Sequence, residues 1–178
     1  MKAAAKITFA ALGCLGLGAI ALWWFADHRR GVAWAVSVVR DRFPDVTHLP
    51  PRDLAACLAD PARPAPLLLD ARREEEFAVS HIQGAQRIDP AAEVSVLQNL
   101  SATARPIVVY CSAGYRGSRV ARRLREAGAN DVANLEGGIF AWANEGFEVV
   151  RNGEKTREVH PYRSIFSRLL RPDRRPER

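Results

Sequence analysis

Short apolar runs alternate with amphipathic stretches through the middle of the chain. Residues 67–69 are three leucines that end at Asp70, and residues 106–110 form a second apolar run that ends at Cys111. Continuous runs of this kind are typical of strands buried on both faces of a sheet. Shorter strands are predicted at residues 86–88 and around Val132. Helices are predicted at residues 51–58, 73–79, 91–100, 117–127 and 138–144. This alternation predicts an α/β fold with a parallel sheet flanked by helices.

The longest uncharged stretch precedes this alternating region. Residues 7–26 carry no charge over 20 positions, which as a helix would extend about 30 Å, the thickness of the hydrocarbon core of a bilayer. A cleaved signal peptide is the alternative, but its apolar core is typically about 7–15 residues long and ends in small residues. This run is longer and ends in two tryptophans and a phenylalanine. We therefore predict a single-pass transmembrane anchor in residues 1–30 and a juxtamembrane segment in residues 31–44, helical as far as Phe43.

The positive charge of the chain is concentrated at its C-terminal end. Of 26 basic and 20 acidic residues, the last 28 residues contain nine basic and four acidic ones. Residues 159–171 predict a basic amphipathic helix within a tail at residues 151–178, whose apolar face contains Tyr162, Ile165, Phe166, Leu169 and Leu170. Such a helix could lie on an anionic membrane surface, bind a partner or pack against the domain, and the predicted anchor favours the membrane surface. The final eight residues are expected to lack regular structure. No nucleic-acid-binding motif accompanies the charge, so we predict no nucleic-acid partner.

Cysteine chemistry is the first candidate for function. Three cysteines are too few for a disulfide framework, and no Cys/His spacing matches a zinc site, so we predict no metal. Cys111 follows a buried strand and precedes a predicted helix, so backbone N–H groups of the intervening loop would surround its sulfur and stabilise a thiolate. Arg116 adds a positive charge, and Gly114 allows the loop to turn. A buried structural cysteine is the alternative.

Four motifs in order carry a resemblance to a known family. They lie at residues 67–77, 81–85, 111–116 and 135–147. Together they resemble the rhodanese family of sulfurtransferases over residues 45–150, which implies a rhodanese-like domain there. The resemblance implies that Cys111 is the catalytic nucleophile and needs no organic cofactor. It implies a small sulfur donor and a thiol or cyanide-like acceptor. It also implies a substrate-binding loop formed by Ser112, Ala113, Gly114, Tyr115 and Arg116.

Other residues around these motifs are interpreted as support. Asp70 and Arg72 are predicted to hold neighbouring loops together through charge-assisted hydrogen bonds rather than to act in catalysis. Gly117 departs from the family, in which a serine commonly follows the loop arginine, and Ser118 comes next; both are counted with the structural support of the site. The three glutamates at residues 74–76 are interpreted as a solvated helix face.

The sequence thus predicts a membrane-anchored sulfurtransferase that carries sulfane sulfur as a persulfide on Cys111. A non-catalytic binding or adaptor module of the same fold is one alternative. A phosphatase or arsenate reductase is another, but those enzymes typically have five residues between the cysteine and the arginine, and this chain has four. Basic residues favour a cytoplasmic domain by a small margin. A periplasmic or extracytoplasmic domain is the alternative.

Overall fold

A five-stranded parallel sheet forms the centre of the protein. The computed structural model describes residues 27–176. The strands occur in the order β1, β5, β4, β2, β3, and every neighbouring pair is parallel. Their bounds are β1 (Thr47–Leu49), β2 (Leu67–Asp70), β3 (Gln86–Arg87), β4 (Ile107–Tyr110) and β5 (Val132–Leu135). The last four were predicted from the sequence. β1 was not predicted, because it is only three residues long and begins with Thr and His.

Helices cover both faces of this sheet. The helices are α1 (His28–Arg42), α2 (Pro51–Ala59), α3 (Glu74–Val79), α4 (Val94–Ser101), α5 (Tyr115–Glu126) and α6 (Gly138–Asn144). One apolar core joins Leu69 and Val109 of the sheet to α4, α5 and the end of α1. The other joins Leu68, Val108 and Tyr110 to α2, α6 and the C-terminal tail. Because alternate residues of a strand face opposite sides, each central strand contributes to both cores.

The predicted transmembrane anchor at residues 7–26 lies outside the described residues. Within residues 27–176, no helix is both long enough and apolar enough to cross a membrane. The predicted juxtamembrane segment is helical, as expected, and α1 packs against the domain. Gly31 of α1 lies so close to the tail that an added Cβ would be 2.5 Å from a methyl carbon of Leu169.

The C-terminal tail differs from the predicted amphipathic helix. It contains an antiparallel hairpin, β6 (Val149–Arg151) and β7 (Glu154–Thr156), and then two 3₁₀ helices, Ser164–Leu169 and Pro172–Arg174. An α-helix over residues 159–171 does not form because Tyr162 has a positive φ of 65° and Arg163 is extended. The apolar residues of the predicted helix therefore do not lie along a single helical face.

Two contacts dock the tail on the body of the domain. Asn144 at the end of α6 donates a hydrogen bond to the Leu169 carbonyl at 2.7 Å. The Arg171 N–H donates to the Asn144 Oδ1 at 2.9 Å. The expectation that the final eight residues lack regular structure is wrong for Pro172–Arg174, which forms the second 3₁₀ helix.

Candidate active site

Cys111 lies directly after β4, at the carboxyl end of the central strand. Its side chain is buried, with 2% exposure. The Gly114 N–H donates to the Cys111 Sγ at 3.2 Å. Gly114 adopts a φ of 104°, which favours glycine, and this turn lets α5 begin at Tyr115, two residues before the predicted start. A short loop and a helix N-terminus thus surround the sulfur, which is the arrangement that stabilises an anion.

Helix α6 fixes the backbone of the same loop. The Ile139 N–H donates to the Cys111 carbonyl at 2.9 Å, and the Phe140 N–H donates to the Ser112 carbonyl at 3.0 Å. An added Cβ at Gly138 would be 2.3 Å from the Cys111 carbonyl oxygen, so only glycine fits there. Because peptide bonds are trans and planar, the N–H groups that follow these two carbonyls point away from α6.

Arg116 is held by a carboxylate that the sequence prediction assigned to solvent. Its Nη1 and Nη2 donate to the two oxygens of Glu76 at 2.7 and 2.8 Å, and Nη2 also lies 2.9 Å from the Ser112 Oγ. The Ser112 hydroxyl in turn donates to Glu76 at 2.9 Å. Glu76 is fully buried, so the prediction of a solvated face is wrong for this residue.

The ion pair between Glu76 and Arg116 shifts the pKa of both side chains. Burial would raise the pKa of Glu76, but the Arg116 guanidinium, the Arg73 N–H and the Ser112 hydroxyl outweigh it and lower that pKa to about 2. Burial likewise opposes the charge on Arg116, yet Glu76 and the nearby Cys111 raise its pKa. Both groups are therefore ionised at neutral pH, and Glu76 compensates the positive charge expected at the loop.

The start of α3 explains the burial of Glu76. Arg73 stands where the sequence signature of a capping box has Ser, Thr, Asp or Asn, so the sequence carries no such signal. Glu76 is the third residue of α3, and it accepts a hydrogen bond from the Arg73 N–H at 3.1 Å, as the third-position glutamate of a capping box does. Such a glutamate turns back toward the start of its helix, so it can be buried while its neighbours Glu74 and Glu75 remain exposed.

Tyr162 of the tail covers this ion pair. Its ring lies 4.8 Å from the Arg116 guanidinium carbon and 5.3 Å from that of Arg73, in cation-π geometry. The sequence prediction placed Tyr162 on the apolar face of a helix, whereas the structure places it at the site.

The predicted supporting residues Asp70 and Arg72 form a buried ion pair at the end of β2. Arg72 binds the carboxylate of Asp70 at 2.7 to 3.1 Å and donates to the Ser80 carbonyl at 2.6 Å. Both side chains are fully buried. The pair thus ties the end of a central strand to the residue that follows α3, the helix that carries Glu76.

Asn134 of β5 lies beside the loop at Gly114 and Gly117, a position that the sequence pattern does not predict. An added Cβ at Gly117 would be 2.3 Å from the Asn134 Oδ1 and 3.2 Å from the Tyr110 Cα. The space for a side chain after Arg116 is therefore occupied, which gives a physical reason for glycine at this position. Ser118 is fully buried, on the inner side of α5.

A cavity of about 680 Å³ opens above Cys111. Its floor includes Ser112, Ala113 and Arg116, and its walls come largely from α1 and the tail. The wall residues are mostly apolar: Trp34, Ala35, Tyr115, Phe140, Tyr162, Ile165, Phe166 and Leu169, with Arg168 also present. Among residues 27–176 there is no group of three His, Cys, Asp or Glu side chains placed to bind a metal ion.

Comparison with known proteins agrees with this fold. The model of the family described as the rhodanese-like domain matches residues 52–145, and the chain belongs to this family. A curated protein named "Sulfurtransferase" from Allochromatium vinosum is 33% identical over 84 residues, which cover 47% of this chain and 78% of that protein. An uncharacterized protein, YqhL of Bacillus subtilis, is 35% identical over 78 residues, which cover 44% of this chain and 61% of that protein.

Solved structures place the fold in the same family. The solution structure of the rhodanese-like domain of the Alr3790 protein from Anabaena matches with a TM-score of 0.53 and 27% identity, over 58% of this chain and 78% of that one. The predicted rhodanese-like α/β fold is therefore confirmed. The chain spans less than two thirds of the length of the Bacillus subtilis relative, and residues 27–51 and 146–176 lie outside the family match.

Proposed function

We propose that the protein is a sulfurtransferase that carries sulfane sulfur as a persulfide on Cys111. The observation that carries this proposal is the position of the sulfur: it lies at the carboxyl end of β4, within a short loop, with the Gly114 N–H directed at it. Such a cradle suits a thiolate and the partly negative outer sulfur of a persulfide.

The proposed reaction has two balanced steps. The Cys111 thiolate attacks the outer sulfur of a donor such as thiosulfate, a new S–S bond forms, and sulfite leaves with the electron pair of the broken bond. A thiolate or cyanide acceptor then attacks the outer sulfur of the persulfide, and Cys111 leaves as a thiolate. This is covalent catalysis by a thiol nucleophile, and it requires no oxidant and no cofactor.

Intact-protein mass spectrometry tests the proposal. After treatment with thiosulfate or a persulfide donor, the protein should gain the mass of one sulfur, and a reductant or cyanide should remove it. Cys57→Ser is the matched control, since Cys57 is the other free thiol among the described residues. Cys57→Ser should retain the added sulfur, while Cys111→Ser should lose it and all transfer activity. Transfer by Cys111→Ser within about tenfold of the wild-type rate would contradict the mechanism.

We further propose that residues 7–26 anchor the protein in a membrane and that the catalytic domain faces the cytoplasm. The support is the uncharged stretch of 20 residues and the arginines that follow it. A reducing compartment would also keep Cys111 available as a thiol.

A further inference from the structure

The cavity above Cys111 is much larger than one transferred sulfur requires. Its volume of about 680 Å³ lies within the range of about 300–1,000 Å³ that is typical of pockets for whole small molecules. A substrate body as well as its reacting sulfur atom can therefore be held against the nucleophile.

Most wall residues of this cavity belong to parts of the chain that lie outside the family match. Trp34 and Ala35 belong to α1, while Ile165 and Phe166 belong to the first 3₁₀ helix of the tail. Trp34 is 52% exposed and Ile165 is 72% exposed, so large apolar side chains border the cavity in contact with water. A bound apolar group would remove this surface from water, which favours binding.

The charge at the cavity does not select an anionic acceptor over a neutral one. Arg116 is bound through both nitrogens to Glu76, and the Tyr162 ring covers its guanidinium. The other lining cation, Arg168, is exposed to solvent. The remaining lining is almost wholly aliphatic and aromatic, so the cavity provides hydrophobic contact rather than an array of unpaired cations.

We infer that the acceptor of sulfur from Cys111 is an apolar thiol, with an alkyl or aryl body that fills this cavity. The inference rests on the proposed function and specifies its second step. The acceptor thiolate attacks the outer persulfide sulfur, forms a new S–S bond, and leaves with that sulfur as its own persulfide. The Cys111 sulfur takes the electron pair of the broken bond.

A neutral series of thiols of increasing length tests this inference. The full chain is reconstituted in phosphatidylcholine nanodiscs, loaded with sulfur from a persulfide donor, freed of donor, and mixed with 2-mercaptoethanol, 4-mercapto-1-butanol or 6-mercapto-1-hexanol. Loss of the persulfide is followed by mass spectrometry. Each added methylene that is buried should raise the second-order rate constant about two- to fourfold. The second-order rate constant should therefore be more than tenfold higher for 6-mercapto-1-hexanol than for 2-mercaptoethanol.

Matched variants separate the cavity from other effects of chain length. Ile165→Ser/Phe166→Ser removes two exposed wall residues and should reduce the gain to less than about threefold. Val94→Ser changes a similarly exposed apolar residue that does not line the cavity, and it should retain the wild-type gain. Since all variants are compared in the same nanodiscs, partitioning of the thiols into lipid cancels.

The outcomes distinguish this inference from the proposed function. The inference is overturned if the wild-type rate constants are equal along the thiol series. It is also overturned if the rate constant increases with chain length as much in Ile165→Ser/Phe166→Ser as in Val94→Ser. In either case, transfer of sulfur to cyanide by the wild type would still uphold the proposed function. Failure of the wild type to form a persulfide with any donor, or to pass it to cyanide, would instead overturn both.

Discussion

The guanidinium of Arg116 binds both carboxylate oxygens of Glu76, so a helix distant in sequence fixes the cation of the loop that follows β4. The two contacts are 2.7 and 2.8 Å long, and Glu76 is fully buried. Removing one partner of such a pair leaves the other charge buried without compensation, which is far more costly than losing an exposed ion pair. The loop and α3 therefore depend on each other.

Glu76→Gln should lower the free energy of unfolding by about 2–4 kcal/mol at pH 7, because it leaves Arg116 without its anion. Urea unfolding followed by circular dichroism measures the loss. Glu75→Gln is the matched control on the same helix turn: its side chain is 59% exposed, so its effect should stay within about 0.5 kcal/mol. Equal effects of the two substitutions would show that the pair does not stabilise the fold.

The same carboxylate gives stability a predictable dependence on pH. The pKa of Glu76 is lowered from 4.5 to about 2 in the folded protein. A lowered folded-state pKa means that the stabilisation is present above pH 4.5 and is lost as the pH falls toward 2. This difference between the two pKa values corresponds to about 3 kcal/mol in the free energy of unfolding.

Unfolding free energies measured between pH 6 and pH 2.5 test this dependence. Wild-type stability should decline over the lower part of this range by more than that of Glu76→Gln, which has no carboxylate to protonate at position 76. Parallel curves for the two proteins would contradict the assigned pKa.

Gly117→Ser restores the residue that commonly follows the loop arginine in the family, and it should destabilise this protein by about 1–3 kcal/mol. The physical reason is overpacking, since the new Cβ would lie 2.3 Å from the Asn134 Oδ1. A double-mutant cycle with Asn134→Ala measures the conflict. The double variant should be more stable than the sum of the single effects predicts, by at least about 1 kcal/mol. Additive effects would show that Asn134 does not restrict position 117.

The parts of the site that sequence predicted are those that local pattern determines. Cys111 follows a buried strand and precedes a helix, so its position at the carboxyl end of that strand can be predicted from the apolar run. Glu76 and Asn134 reach the site from α3 and β5, and their proximity to the loop depends on long-range packing. A hydrophobic pattern assigns Glu76, the last of three consecutive glutamates, to the surface because it contains no information about a distant arginine.

The tail was mispredicted for a related reason. Helical periodicity placed Ile165, Phe166, Leu169 and Leu170 on one face, but Tyr162 and Arg163 have non-helical backbones. Contacts with Asn144 and with α1 determine the path of the tail. The sequence pattern showed correctly that these residues are apolar, but not which of them would pack on the domain and which would border the cavity.

The predicted membrane topology can be tested with introduced thiols. Arg29, Arg30, Arg40 and Arg42 follow the apolar stretch within about 20 residues, whereas Lys2 and Lys6 precede it. This excess favours a cytoplasmic domain. In a chain with all three native cysteines replaced by serine, Val94→Cys places a thiol at a position that is 60% exposed.

A membrane-impermeant maleimide should label this cysteine only after intact cells are permeabilised. Val96→Cys, 45% exposed on the same helix, provides an independent second position. Labelling of both variants in intact cells would place the domain on the other side of the membrane.

The hydrogen bonds from α6 to the loop carbonyls have a consequence for the proposed transfer of sulfur. With the carbonyls of Cys111 and Ser112 each bound at about 3 Å, the backbone around the sulfur is already ordered before any donor arrives. The cradle then has little reorganisation energy to supply when its occupant changes from a thiolate to a persulfide. Amide hydrogen exchange at Ile139 and Phe140 should accordingly be slow, and equally slow with and without a persulfide on Cys111. During turnover only the transferred sulfur would then move, while the backbone of the loop stays in place.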